Sequence, residues 1–147
     1  MPSQTKSKIY FYYQTKFNLG ERTRLKKFIA SIFRMEKKPL VRLNYIFCND
    51  RQLLKINQQY LGHDFYTDII SFGLTEGTEP VEGEVYISID RVRENAANLQ
   101  IGFREELLRV IFHGALHLCG YRDKNRQEIK RMRNAEDLYL SKYFQRS

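Results

Sequence analysis

The chain has 147 residues, and its 25 Lys and Arg outnumber its 17 Asp and Glu, which gives a net charge of +8 with histidine neutral. Hydrophobic residues make up 42% and charged residues 29%, values typical of a globular protein. This composition excludes a chain that is disordered throughout, and the length argues against two domains with separate cores. We therefore expect residues 1–147 to form one domain, with residues 1–8 loosely ordered.

The sequence predicts no membrane span and indicates a reducing compartment. The charge-free stretch at residues 110–121 is far shorter than the roughly 20 residues that a span requires. Cys48 and Cys119 are far apart and belong to no spaced motif, so we expect reduced thiols in a cytoplasmic protein. The basic charge favours polyanionic partners, although many basic proteins bind no nucleic acid.

The first half of the chain predicts two strands and two helices. Aromatic residues alternate over residues 9–13, which is typical of a strand. An apolar stripe over residues 21–37 predicts an amphipathic helix, and alternation over residues 41–47 predicts a second strand. A second helix follows, capped by Asn49 or Asp50, and ends before a glycine.

The second half predicts two more strands and three more helices. Residues 68–74 are mostly apolar, so we expect a third strand that is buried on both faces. Val85, Ile87 and Ile89 alternate with polar residues and predict a fourth strand. Three helices are then expected, and their approximate ranges are residues 90–99, capped by Asp90, 104–118 and 125–143.

The connections between these elements predict the fold class. Strand–helix–strand connections early in the chain favour parallel pairing, whereas the short loop between the third and fourth strands favours an antiparallel pair. We therefore predict an α+β fold in which a small mixed four-stranded sheet packs with about five helices.

Two histidines four residues apart indicate a metal site. His113 and His117 leave the same face of the predicted helix, about 5–6 Å apart at Cβ, so both imidazoles can bind one metal ion. Gly120 ends the helix, and Asp123 follows as a candidate third ligand. Three protein ligands leave one position open, as in catalytic zinc sites, and nickel or iron would accept the same donors. The alternative is a histidine pair that only packs or faces solvent.

Gly114 bears on which chemistry this helix supports. A metalloprotease of the His-Glu type needs Glu next to the first histidine as its base, and that position is Gly114. A peptidase would need another base, with Glu105, Glu106 or Glu136 as candidates. Glycine inside a helix costs about 1 kcal/mol relative to alanine, so we expect another element or a substrate to approach closely here.

Residues 113–123, HGALHLCGYRD, resemble the signature of the YbeY family, bacterial metal-dependent endoribonucleases that mature small-subunit ribosomal RNA. The segments TDIISF at residues 67–72 and GEVYIS at residues 83–88 resemble two further family blocks. The resemblance implies a zincin-like metal-binding helix beneath a mixed sheet and one zinc ion held by His113, His117 and Asp123. It also implies precursor ribosomal RNA as substrate and the ribosome or its small subunit as partner.

The chain departs from the family pattern at two places. The family usually has Asp-His where this chain has Arg122-Asp123, and an aspartate can bind zinc through oxygen at a similar distance. The family also has an arginine where this chain has Leu61. Arg122 and Lys124 are the nearest candidates to supply that cation, so we predict His117 and Arg122 as catalytic residues.

Two functions stay open from the sequence. The first is a metal-dependent, single-strand-specific endoribonuclease that processes ribosomal RNA. The second is an RNA-binding ribosome-assembly module whose metal is only structural. Cations around residues 22–38 would contact phosphates in either case, or would form a solvated helix face. The oligomeric state is not predicted.

Overall fold

A computed structural model describes residues 8–76 and 79–146 of the chain. Within those ranges the elements are β1 (Ile9–Tyr13), α1 (Arg22–Met35), β2 (Leu40–Cys48), α2 (Asp50–Leu61), β3 (Ile69–Gly73), β4 (Val81–Ser88), α3 (Ile89–Leu99), α4 (Phe103–Leu118) and α5 (Arg126–Phe144). The predicted order of strands and helices is therefore confirmed. The prediction of a loose start concerns residues 1–8, of which residues 1–7 lie outside the described part of the chain.

The four described strands form one mixed sheet in the order β1-β2-β4-β3. β2 pairs in parallel with both β1 and β4, since α1 provides the crossover from β1 to β2, and α2 with β3 provides the crossover from β2 to β4. β3 pairs antiparallel with β4, so that Ser71 lies opposite Val85. The predicted α+β fold with a small mixed sheet is thus confirmed.

The prediction that β3 is buried on both faces is wrong. β3 is an edge strand, and of its five residues only Ile70 is buried. Its two faces are covered differently, since Ile70 packs with Cys48 and Leu53 under α2, whereas Ile69 packs against the main core. A strand with a neighbour on only one side is open to solvent along its other edge, which leaves Ile69, Ser71 and Phe72 only partly buried.

The boundary between β4 and α3 also differs from the prediction. Ile89, expected in the fourth strand, is the first residue of α3. The cap is Ser88, whose hydroxyl accepts a hydrogen bond from the Arg91 N–H at 3.2 Å, and not Asp90. Asp90 lies in the first helical turn, where its carboxylate accepts a hydrogen bond from the Asp50 N–H at 3.0 Å. Its negative charge there interacts favourably with the positive end of the helix dipole.

Helix α4 lies at the centre of the main core and contacts α1, α3, α5, β3 and β4. The buried Tyr45 hydroxyl on β2 donates to the Ile111 carbonyl at 2.8 Å. Gly114 faces the sheet so closely that a Cβ there would lie 2.9 Å from Val85 Cγ1 and 3.1 Å from Ile69 Cδ1. Close packing against the sheet therefore explains the mid-helix glycine, and it places the next residues of α4 beside β3.

Candidate metal centre and catalytic cleft

His113 and His117 line one cavity of about 550 Å³ between α4, β3 and the start of α5. Their rings are nearly parallel, with an interplanar angle of 5° and centroids 6.3 Å apart. The His113 side chain is 23% exposed, whereas His117 is exposed. The predicted pair therefore presents one anchored and one accessible imidazole to the same cavity.

Asp123 reaches this cavity because the chain reverses after α4. Gly120 adopts a φ of +108°, in the left-handed region that favours glycine, and the next three residues return along the helix end. Asp123 Oδ2 then lies 3.6 Å from His113 Nε2. His113, His117 and Asp123 thus line the same cavity.

The three side chains surround no common point in this conformation. In residues 8–76 and 79–146, no group of three His, Cys, Asp or Glu side chains stands in an arrangement that could hold a metal ion. The donor set nonetheless fits a divalent ion, since it offers two imidazoles and one carboxylate. His117 and Asp123 are both exposed, so their side chains are not fixed by surrounding packing.

Glu136 on α5 fixes the orientation of His113. The buried Glu136 places Oε2 2.7 Å from His113 Nδ1, which leaves Nε2 facing Asp123. Arg109 Nη1 and Arg133 Nη1 donate to the other oxygen of Glu136 at 3.2 and 3.4 Å. Carboxylates that orient a histidine in this way are typical partners of metal-binding imidazoles.

The electrostatics of the cavity raise the pKa of His113 above its ordinary value of 6.5. Burial alone would lower that pKa, but the hydrogen bond and charge of Glu136, with the charges of Asp123 and Asp68, outweigh it. The raised pKa extends the pH range over which the imidazolium persists. A metal ion would compete with that proton for the ring.

Two further carboxyl groups line the buried part of the cavity. Burial raises the pKa of Asp68, although the charge of His113 opposes the shift, and Asn95 Nδ2 lies 3.5 Å from its Oδ2. Burial also raises the pKa of Glu106, whose Oε1 has no hydrogen-bond partner and lies 4.0 Å from Arg109 Nε. Of the predicted peptidase bases, Glu106 and Glu136 thus line the cavity, whereas Glu105 pairs with Arg146 at 3.1 Å.

The cations of the cavity differ from the sequence expectation. Arg122 is 67% exposed, lies 3.8 Å from Glu128 Oε2 and is absent from the cavity lining, whereas Lys124 lines it. Arg109 and Arg133 line the cavity as well, and the sequence analysis named neither of them. Arg109 lies four residues before His113 on α4, so helical spacing could have indicated it, whereas Arg133 depends on how α5 packs on α4.

Two histidines, an aspartate and the buried Glu106 and Glu136 line one cavity of a mixed α+β domain. This composition is typical of an enzyme active site. The model of the family described as endoribonuclease YbeY matches residues 11–144. The chain therefore belongs to the YbeY family of endoribonucleases, as its motifs predicted, and RNA is the class of partner that this family implies.

Relatives and a solved structure agree with that assignment. The endoribonuclease YbeY of Flavobacterium psychrophilum is 48% identical over 129 residues, which cover 88% of this chain and 91% of that protein. The endoribonuclease YbeY of Cytophaga hutchinsonii is 43% identical over 132 residues, which cover 90% and 92%. The solution structure of TM1509 from Thermotoga maritima matches with a TM-score of 0.66 and 30% identity, covering 92% of this chain and 89% of that one.

None of the described helices is both long enough and apolar enough to cross a bilayer.

Proposed function

We propose that the chain is a metal-dependent, single-strand-specific endoribonuclease that processes precursor ribosomal RNA of the small subunit. One observation carries the proposal: His113, His117 and Asp123 share a cavity wall, and the buried Glu136 anchors the first of them. The ribosome or its small subunit would be the partner. The cytoplasm would be the compartment, and the free, buried Cys48 and Cys119 fit reducing conditions.

The donors proposed for one zinc ion are His113 Nε2, the His117 imidazole and the Asp123 carboxylate, and nickel or iron would suit the same set. Such an ion, when bound, would supply Lewis acidity toward a phosphodiester. Aspartate at this position adds a negative charge relative to the histidine usual in the family. The site should therefore polarise water less strongly than a three-histidine site.

The chain's own residues would orient the reacting groups. Glu136 would accept a hydrogen bond from His113 Nδ1–H, which would leave Nε2 to act as a ligand. Lys124 lines the cavity and is exposed, so it can hold a phosphate oxygen by charge. Of the two cations that the sequence suggested for this role, we assign it to Lys124, because Arg122 lies outside the cavity lining.

Cleavage of a labelled single-stranded RNA by purified protein tests the proposal. His117→Ala should lower the rate at least about 100-fold, since loss of a ligand should cost more than the roughly 10–100-fold loss typical of an outer partner. His63→Ala is the matched control, because His63 is exposed, stacks on Phe65 and does not line the cavity. Equal cleavage by both variants, with unchanged circular dichroism, would exclude the proposed site.

The alternative is an RNA-binding assembly module with a structural metal. Leu61 favours it, because this residue replaces the family arginine and is exposed outside the cavity lining. This alternative predicts that metal-loaded protein co-sediments with ribosomal subunits but cleaves no RNA. Cleavage that depends on His117 would reject it.

A further inference from the structure

A second cavity, which we call the α1 groove, lies between α1 and the starts of β1 and β2. Its volume is about 1030 Å³, and it shares no lining residue with the histidine cavity. The described residues that line it include no acid but six cations, which are Lys8, Lys26, Lys27, Arg34, Lys37 and Lys38.

No described carboxylate pairs with any of the six cations. Within residues 8–76 and 79–146, none of them forms an ion pair, whereas nearby Arg24 pairs with Glu21 and Arg42 pairs with Glu82. Five of the six are exposed, and Lys26 is half-buried with its ammonium 5.6 Å from the centre of the Phe11 ring. Like charges held in one groove repel one another, so an anionic ligand would relieve an uncompensated positive field.

The large apolar side chains on the floor of the groove are themselves well covered. Phe33 is 1% exposed and Leu40 is 7% exposed, so neither presents a surface to stack on or to anchor a side chain. Ala30 and Pro39 are the remaining apolar lining residues that the structure describes. An amphipathic peptide needs buried apolar anchors, whereas a phosphate backbone needs only charge and hydrogen-bond donors.

The groove is separated from the histidine cavity by the helix layer. α1 packs on the Phe112 side of α4, where the Phe28 and Phe112 rings are 5.1 Å apart. His113 follows Phe112 directly and leaves the helix about 100° further round, towards the other cavity. An RNA that occupied both sites would therefore have to extend across the protein surface.

We propose that the α1 groove binds the phosphate backbone of RNA at a distance from the bond that is cut. This inference rests on the proposed function in that the ligand is the same RNA. The groove would contribute affinity without sequence preference, because lysine and arginine contacts to phosphates do not read bases. Short RNAs that fill only the histidine cavity would make no contact with the groove.

The test compares two charge-matched triple variants in the full chain. The groove variant carries Lys27→Gln, Arg34→Gln and Lys38→Gln. The control variant carries Arg51→Gln, Lys55→Gln and Lys142→Gln, which are exposed, have no described ion pair and lie outside the groove. Binding of a short and of a several-fold longer single-stranded RNA is measured by fluorescence anisotropy over a range of salt concentrations.

The groove variant should lose affinity for the long RNA only. The slope of log affinity against log salt is negative, and each lost phosphate contact reduces its magnitude by about 0.7 for single strands. Three lost contacts therefore reduce the magnitude by about 2. At 0.1 M salt the same relation predicts a loss of about 100-fold. The control variant should bind the long RNA nearly as the wild type does, and all three proteins should cleave the short RNA equally.

Three results would overturn the groove assignment. The first is equal binding of long RNA by the groove and control variants, and the second is no salt-dependent binding of long RNA by the wild type. The third is a groove variant that loses binding to polyglutamate but keeps RNA binding, since the groove would then dock an acidic protein. Failure of the endoribonuclease proposal looks different: the short RNA would stay intact with wild-type protein while long RNA still bound through the groove.

Discussion

Replacing Gly114 with alanine should destabilise the fold, although alanine is the better helix former. The added Cβ would lie 2.9 and 3.2 Å from the two Val85 methyls and 3.1 Å from Ile69 Cδ1, whereas carbon atoms pack best at about 3.5–4.0 Å. Val85 is fully buried on β4, which is paired on both sides, so it has little freedom to move. Overpacking costs up to about 3 kcal/mol, and the helix gain returns about 1 kcal/mol, which leaves a net loss of up to about 2 kcal/mol.

Urea unfolding followed by far-ultraviolet circular dichroism measures this loss, which corresponds to a fall in Tm of about 4–8 °C. Val85→Ala removes both close methyls and provides the control background. In that background Gly114→Ala should cost much less, because only Ile69 Cδ1, the end of a flexible side chain at 3.1 Å, still has to shift and the helix gain remains. An equal penalty in both backgrounds, or a stabilised single variant, would refute the packing argument.

Two further predictions concern the environment of His113. Glu136→Gln should weaken metal binding about 10–100-fold by removing the charged partner of His113 Nδ1, as measured by competition with a chelating dye. Asp137→Asn is the control, because Asp137 also binds Arg109 but is exposed. Equal metal affinity of the two variants would argue against the role of Glu136 in orienting His113. In metal-free protein, the free energy of unfolding should fall as the pH rises from about 6 to 8. The folded-state pKa of His113 is raised, so its contribution is complete below about 6.5 and disappears as the pH passes the folded value. A free energy of unfolding that increased over this pH range would contradict the prediction.

The order and pairing of elements could be predicted from the sequence because connection lengths constrain both. Parallel neighbours require a long crossover connection, which α1 provides between β1 and β2, and α2 with β3 between β2 and β4. The edge position of β3 could not be predicted, because an apolar segment looks the same whether one or two strands flank it. Ser88 and Asp90 are both good capping residues, and only the end of β4 decides between them.

The candidate site was only partly predictable for a related reason. His113 and His117 are one helical turn apart, so local geometry places them together. Glu136 is 23 residues from His113 in sequence, and its hydrogen bond depends on how α5 packs on α4. Arg122 precedes Asp123 directly, yet only Asp123 reaches the cavity, because the direction of each side chain after Gly120 is set by the turn.

Elemental analysis combined with RNA cleavage on variants of Asp123 tests the central claim most directly. We predict about one divalent metal ion per chain in the wild type, and the loss of both metal and cleavage in Asp123→Ala. Asp123→His should restore both, since it places the ligand usual in the family after the same turn. Full metal content and undiminished cleavage in Asp123→Ala would contradict the account, because the three-ligand site would then not be what supports the reaction.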